Sequence, residues 1–164
     1  MKKYTIITVL VLLTLLATIG TALASESKTV FRTRLSGEAA GTGSDAHGNA
    51  VFMFKDDGSQ VKYKLVVNGL EDTLQAHIHV APGPGLNGPI VLWLYPDQAP
   101  FQVTLIAGIF NGLLGSRITA PSELTGAAEI VDFEQLQSAI EEGRAYVNVH
   151  TVANTGGEIR GTIH

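Results

Sequence analysis

The chain has 164 residues, with 11 Lys and Arg against 15 Asp and Glu, and it contains no cysteine. The acidic balance argues against a nucleic-acid partner, because such a partner selects for a basic face. The lack of cysteine excludes disulfides, thiolate metal ligands and cysteine nucleophiles. Any transition-metal site must therefore use His, Asp or Glu.

The N-terminal segment has the three parts of a secretory signal peptide. Two lysines precede an apolar core from Ile6 to Ile19, and the small-residue site Ala22-Leu23-Ala24 follows. That core is shorter than the roughly 20 residues that span a bilayer, which favours cleavage over retention as an anchor. We expect residues 1–24 to be removed. Residues 25–164 then form one domain without a membrane span, which is secreted, periplasmic or held at the cell surface.

Most of the remaining chain alternates between apolar and polar residues with a period of two, as β-strands do. Turn signals separate the alternating segments, for example Asp56-Asp57-Gly58-Ser59. This pattern predicts an all-β domain, an antiparallel Greek-key sandwich or flattened barrel. In chain order the predicted strands are TVFRTRL, GNAVFMFK, QVKYKLVVNGL, LQAHIHVA, PIVLWLY, RAYVNVHTV and GEIRGTIH.

Two segments depart from the strand pattern. Residues 96–126 are punctuated by Gly and Pro, and we expect a long irregular connection with one or two short strands. The segment DFEQLQSAIEEG predicts the one clear helix, with Asp132 as N-cap, Gln135 approximating a capping box and Gly143 at the end. This helix should lie in a late crossover before the final hairpin.

Three histidines fall on the polar faces of their strands. His77 and His79 alternate with apolar residues in LQAHIHV, and His150 shares its face with Tyr146 and Asn148 in AYVNVH. Because the apolar residues should meet the core, the histidines should point outward or into a crevice.

Their spacing is compatible with a metal site. Histidines at i and i+2 have Cα atoms roughly 6.5–7 Å apart, so both imidazoles can reach one ion. If the strand of His150 lies beside that of His77 and His79, three imidazoles meet. Such a site favours copper over zinc, because affinity for divalent ions peaks at Cu²⁺. The other nitrogen of each ring should bond a carbonyl or carboxylate, and Glu158 and Asn148 are candidates. The alternative is that the H-x-H pair is two surface polar residues without a ligand.

The other two histidines and the glycine-rich loop are not predicted to form binding sites. His47 lies in the turn SDAHGN. In the predicted hairpin His164 pairs near residue 143, about seven residues along the strand from His150. The loop GPGLNG matches G-x-G-x-x-G, but a strand follows it where a dinucleotide site needs a helix. Its glycines should instead let the loop pass close to the histidine face.

Three segments together resemble the CHRD domain, the module named after chordin. They are FRTRLSGEAAGTGSDAHGNAVFMF, YKLVVNGLEDTLQAHIHVAPGPGLNGPIVLWL and GRAYVNVHTVANTGGEIRGTI. The resemblance covers residues 29–164 and implies a β-rich extracellular or cell-surface module. In chordin such domains belong to a growth-factor antagonist, a role that the resemblance does not carry over to this chain.

A weaker resemblance is to copper-zinc superoxide dismutase, which also has H-x-H on one strand of a Greek-key sandwich and a later V-x-H. By that resemblance, His77, His79 and His150 match three copper-ligand types in order. The chain lacks a bridging histidine, a zinc loop and the disulfide cysteines. The resemblance therefore implies a copper site without a zinc partner.

Two functional hypotheses follow from the sequence. The first is an exported CHRD-domain protein that binds one copper-type ion through His77, His79 and His150, for metal capture or a redox step. The second is a non-catalytic extracellular binding or adhesion module, with a protein or surface partner and a structural histidine face. A dismutase-type oxidoreductase is a third hypothesis. Metal content separates the first from the second, and turnover separates the third.

Export generates the first prediction. Protein collected from the medium or periplasm should begin at or near Ser25, because cleavage is expected after Ala24. Intact-mass measurement checks this. A mass that still contains Met1 to Ala24 would contradict it.

Overall fold

The structure is a computed structural model that describes residues 28–96 and 102–164. The predicted signal peptide, residues 1–24, lies outside these ranges. The helical elements are α1 (Gly37–Ala40), α2 (Phe133–Glu141) and two 3-10 turns (Pro121–Glu123 and Ala127–Glu129). The strands are β1 (Lys28–Ser36), β2 (His47–Lys55), β3 (Val61–Val80), β4 (Ile90–Tyr95), β5 (Ile106–Thr119), β6 (Ala145–Thr151) and β7 (Ile159–Thr162).

The strands form a closed antiparallel barrel with two additional strands. The order is β2-β1-β7-β6-β3, and β3 pairs again with β2 to close the ring. Strands β4 and β5 pair with the other edge of β3. The architecture confirms the prediction of an all-β sandwich or barrel. Helix α2 lies in the crossover between β5 and β6, as expected, and the short α1 was not predicted.

Strand β3 replaces two predicted strands by one of 20 residues. It bends near Gly69 and Asp72, whose φ angles are +73° and +52°. The Asp72 carboxylate accepts a 2.7 Å hydrogen bond from Gly108 N–H, and its carbonyl accepts a 3.0 Å bond from Val152 N–H. Before the bend β3 pairs with β2 and β5, and after it with β6 and β4. The bend therefore directs the C-terminal half of β3 toward β6.

The prediction of a long irregular connection after Tyr95 is wrong, because this segment includes one long strand. It contains β5, a strand of 14 residues whose register against β3 shifts three times. Gly108 and Gly112 have φ angles of +75° and +134°, in the region that favours glycine. These bulges break the period-two pattern, which is why the sequence of β5 does not look like one strand.

Helix α2 begins and ends where the sequence predicts. The Asp132 carboxylate accepts a 2.8 Å hydrogen bond from Gln135 N–H, and Gln135 Oε1 accepts one from Val131 N–H. Gly143 follows the helix with φ of +70°. The helix buries Phe133, Leu136, Ala139 and Ile140. It packs against β6, so it helps to fix the strand that carries His150.

Alternate residues of the barrel strands fill its core. Tyr63 is fully buried there and its hydroxyl donates a 2.9 Å hydrogen bond to the Leu94 carbonyl. No helix in the described ranges has the length and apolar character needed to cross a membrane. The largest fully buried side chains are Tyr63, Phe52, Phe54, Phe133, Leu35, Leu65, Leu70, Ile78, Leu92, Leu94, Leu136 and Ile140.

Barrel closure generates the second prediction. A Cβ on Gly161 would lie 2.0 Å from the Arg34 carbonyl oxygen, so Gly161→Ala must push β7 away from β1. We expect a loss of stability of at least the roughly 1–3 kcal/mol typical of overpacking. Gly156→Ala is the matched control, because its Cβ would meet nothing within 4 Å. Urea unfolding midpoints measure both, and equal midpoints would contradict the prediction.

Candidate metal centre

The structure brings the three predicted histidines together. After its bend, β3 lies antiparallel to β6, with Gln75 opposite His150 and His77 opposite Asn148. One ring nitrogen from each of His77, His79 and His150 lies within 4.8 Å of the other two. The predictions that the two strands are neighbours and that the rings converge are therefore confirmed.

The remaining two histidines lie elsewhere, as expected. His47 is exposed at the start of β2, and His164 is exposed after β7. Within the described ranges, the only group of three or more His, Asp and Glu that could hold an ion is the one on β3 and β6.

The histidine face is a covered crevice. His77 is fully buried, and His79 and His150 are 8% and 6% exposed. Ile78 and Val80, on the opposite face of the same strand, are fully buried in the core. The alternation of residues along β3 thus assigns the core face and the histidine face correctly. The burial of the histidine face depends on the loop that follows β3.

Two of the rings have a fixed tautomer. His79 Nδ1 lies 2.9 Å from the Gly88 carbonyl oxygen, and His150 Nδ1 lies 2.8 Å from the Thr155 carbonyl oxygen. A carbonyl only accepts, so each Nδ1 carries the hydrogen and each Nε2 keeps its lone pair. The prediction that each second nitrogen bonds a carbonyl or carboxylate is confirmed for these two rings and is wrong for His77, whose Nδ1 contacts His150 Nε2.

The two named candidates for that role are wrong. The Glu158 carboxylate instead accepts hydrogen bonds from Ser44 Oγ at 2.7 Å and Thr151 Oγ1 at 2.6 Å. Asn148 Nδ2 donates to the Gly156 carbonyl at 2.9 Å. Both side chains therefore stabilise the final hairpin. The rings are oriented by backbone carbonyls, which a sequence pattern does not reveal.

The ring nitrogens that do not contact a carbonyl are His77 Nδ1 and Nε2, His79 Nε2 and His150 Nε2. His77 Nδ1 lies 3.3 Å from His150 Nε2 and donates a hydrogen bond to it, because His150 Nε2 carries no hydrogen. The Nε2 atoms of His77 and His79 are buried and have no hydrogen-bond partner. Buried polar atoms without a partner are rare in folded proteins, because each costs free energy. The group thus has the nitrogen lone pairs that a metal ion requires.

Burial keeps all three rings neutral. Desolvation, with the neighbouring His150 and His79 charges, lowers the pKa of His77 to about 3. Desolvation also lowers the pKa of His79 to about 4, although its bond to Gly88 opposes this. The pKa of His150 is lowered by desolvation too, against the opposing bond to Thr155. The unprotonated imidazole is the form that binds metals, so the site needs no deprotonation at neutral pH.

The loop between β3 and β4 closes over the histidines. A Cβ on Gly88 would lie 2.0 Å from the Val80 carbonyl oxygen, so only glycine lets the chain pass this close. Gly85 has φ of +76°, which also favours glycine. No helix follows the loop, since β4 begins at Ile90. Gly88 serves the close approach that the sequence predicts, whereas Gly85 serves the turn.

A stack of three side chains supports this loop. The Tyr146 ring lies parallel to His79 with centroids 5.0 Å apart, and the Arg160 guanidinium lies 3.5 Å from the Tyr146 centroid. Arg160 also donates to the Leu86 carbonyl and to Asn87 Oδ1, both at 2.7 Å. Sequence analysis missed Arg160. Its register opposite Asn148 in the final hairpin is the signal that could have placed it on the histidine face.

Trp93 contacts the buried histidine from the side of β4. Its ring centroid lies 4.2 Å from that of His77, in a perpendicular arrangement. It is the only tryptophan of the chain. Its fluorescence therefore reports directly on the environment of His77.

The neutral rings generate the third prediction. The unfolded chain titrates its histidines near pH 6.5, whereas folded His77 and His79 titrate near 3 and 4. Stability of the metal-free protein is therefore full above about pH 6.5 and falls on acidification, by up to about 1.4 kcal/mol per pH unit for each ring. Urea unfolding at about pH 7.5 and 5 measures this.

A variant pair identifies the groups responsible. His77→Gln should flatten the pH dependence, because it removes one ring whose pKa is lowered. His47→Ala, which removes an exposed histidine, should keep the parental slope. Stability that is constant or rises as pH falls from about 7.5 to 5 would contradict neutral burial of the rings.

Comparisons with known proteins show which family the chain belongs to. The model of the CHRD domain family matches residues 31–163. Chordin from Xenopus laevis is 31% identical over 127 residues, which cover 75% of this chain and 11% of chordin. The chain thus spans about a tenth of the length of that relative. No solved structure matches it significantly. Residues 31–163 include all seven strands except the start of β1; the chain belongs to the CHRD domain family.

Proposed function

We propose that this CHRD domain is exported and captures one copper-type ion through His77, His79 and His150. The observation that carries the proposal is the pair of buried ring nitrogens without partners, His77 Nε2 and His79 Nε2. They belong to a group whose ligand nitrogens converge within 4.8 Å. A bound ion would give these lone pairs the partner that the protein itself does not supply.

The donor set favours copper. All three ligands are neutral imidazoles, and no carboxylate belongs to the group. Ca²⁺ and Mg²⁺ prefer oxygen ligands, so they fit poorly, whereas Cu, Zn, Ni and Fe suit imidazole. Among divalent ions a nitrogen site binds Cu²⁺ most strongly. Zinc is the runner-up, because three histidines and one open position also suit Zn²⁺.

Capture is the role that the arrangement supports best. The Gly88 and Thr155 carbonyls orient two rings before any ion arrives, which reduces the ordering that binding requires. The loop held by Arg160 then shields the ion from solvent. A redox step would need a coordination position that stays open to water or substrate.

An extracellular setting fits this role. CHRD family membership over residues 31–163 supports an extracellular module. The signal-type segment before residue 25 agrees with export. A copper-binding protein without thiols also lacks the side chain that copper would oxidise first.

Copper titration generates the fourth prediction. Cu²⁺ added to the mature protein should saturate near one equivalent and quench Trp93, which lies 4.2 Å from His77. His77→Ala, His79→Ala and His150→Ala should each weaken binding by more than the roughly 10–100-fold that loss of an outer partner costs. Competition with a chelator of known affinity measures the change.

Controls separate the two hypotheses. His47→Ala and His164→Ala remove exposed histidines outside the group and should bind copper as the parent does. If His150→Ala also binds as the parent does, the three-histidine site is wrong. If the parent binds no copper, the histidine face is structural and the domain is a binding module without a metal. Superoxide turnover by the copper-loaded protein tests the redox role separately.

A further inference from the structure

A second surface lies on the outer face of the sheet, away from the histidines. Strands β1, β2, the first half of β3 and β5 lie side by side there. Four exposed cations project from this sheet, on the side opposite the buried core residues. We call the surface that they define the basic sheet face: Arg32 and Arg34 on β1, and Lys62 and Lys64 on β3.

The charge on this face is opposite to that of the whole chain. The chain has a net charge of −4, yet the face carries four of the 11 Lys and Arg. Neither Asp nor Glu occurs in β1, β2, β5 or residues 61–68 of β3; Glu71, at the bend of β3, is the nearest exposed carboxylate along that strand. In the described ranges, the salt bridges join other cations, Arg117 and Arg144, to carboxylates. The four cations are thus concentrated without acidic neighbours in the sheet.

Aliphatic side chains fill the positions between the cations. Along one row of the sheet Val30 lies opposite Met53, which lies opposite Lys62, which lies opposite Ile118. Val30 and Ile118 are 38% and 55% exposed. Leu113, opposite Val66, extends the apolar surface along β5. The face therefore combines positive charge with exposed hydrocarbon.

Two hollows interrupt this face. One of about 300 Å³ is lined by Arg32, Arg34 and Asn49 among others. The other, of about 220 Å³, is lined by Met53, Lys62 and Ile118 among others. The first offers two guanidinium groups and an amide, which are good donors for a phosphate group. The second offers hydrocarbon beside an ammonium group, which suits the boundary between headgroup and acyl chain.

We propose that the basic sheet face docks on an anionic phospholipid surface. Charge complementarity attracts the four cations to anionic headgroups, and the aliphatic side chains between them enter the interface. A soluble polyanion would leave Val30 and Ile118 in water, so it explains only half of the surface. A nucleic acid would be expected to use aromatic side chains for stacking, and the outward positions of β1, β2 and β3 carry none.

The proposal is independent of the metal site. The basic sheet face uses the half of β3 that precedes its bend, and the histidines lie on the half that follows it. Docking through this face would therefore hold the domain at a membrane surface whether or not it carries an ion.

Vesicle flotation tests the proposal on the mature protein. Vesicles of phosphatidylcholine with about 30% phosphatidylglycerol should carry the protein, and vesicles of phosphatidylcholine alone should not. Binding should fall sharply at about 0.5 M salt. Lys62→Gln with Lys64→Gln should weaken partitioning about 30-fold, at about 5-fold for each cation.

A matched variant controls for net charge. Val131→Glu with Val152→Glu changes the net charge by the same amount at exposed positions outside the face, 60% and 54% accessible. It should bind vesicles at least several-fold more tightly than the lysine variant. Equal partitioning of the two variants would overturn the proposal. So would binding to dextran sulfate that matches binding to vesicles, since that result would assign the face to acidic polysaccharides.

Discussion

The architecture depends on one backbone constraint, the bend of strand β3. A strand of 20 residues that stayed straight would offer its edges to two neighbours only. Positive φ at Gly69 and Asp72 turns it, so that its halves pair with four different strands. The Asp72 carboxylate fixes the turn through the Gly108 N–H group. The bend thus closes the barrel around the first half and presents the H-x-H pair of the second half to β6.

The histidine site combines two effects that oppose each other in a metal-free protein. Burial removes water from the rings. It therefore lowers the pKa of His77 to about 3 and leaves the Nε2 atoms of His77 and His79 without hydrogen-bond partners. Such atoms destabilise a fold unless something compensates for them. A metal ion bound as proposed would supply that compensation and would stabilise the folded state by mass action. Because the group contains no carboxylate, an ion bound there would meet only imidazole nitrogens, which soft or borderline metal ions prefer.

Much of this arrangement follows from the sequence, because strand parity and turn residues are local signals. The alternation of residues placed His77, His79 and His150 on the polar faces of their strands, and Asp132 was recognised as a helix cap. The errors came from features that depend on long-range contacts. Strand β5 was interpreted as irregular because its glycine bulges hide the period of two. The ring partners were assigned to side chains, whereas carbonyls of Gly88 and Thr155 take that place and leave no mark in a sequence.

The most direct test of the account is a crystal structure of the mature protein grown with one equivalent of Cu²⁺. Diffraction recorded on both sides of the copper absorption edge locates the ion without reference to the protein. We predict one anomalous peak about 2.0 Å from a ring nitrogen of each of His77, His79 and His150, with the carbonyl bonds to His79 and His150 kept. A peak at His47 or His164, with the three buried rings unchanged and unbound, would contradict it.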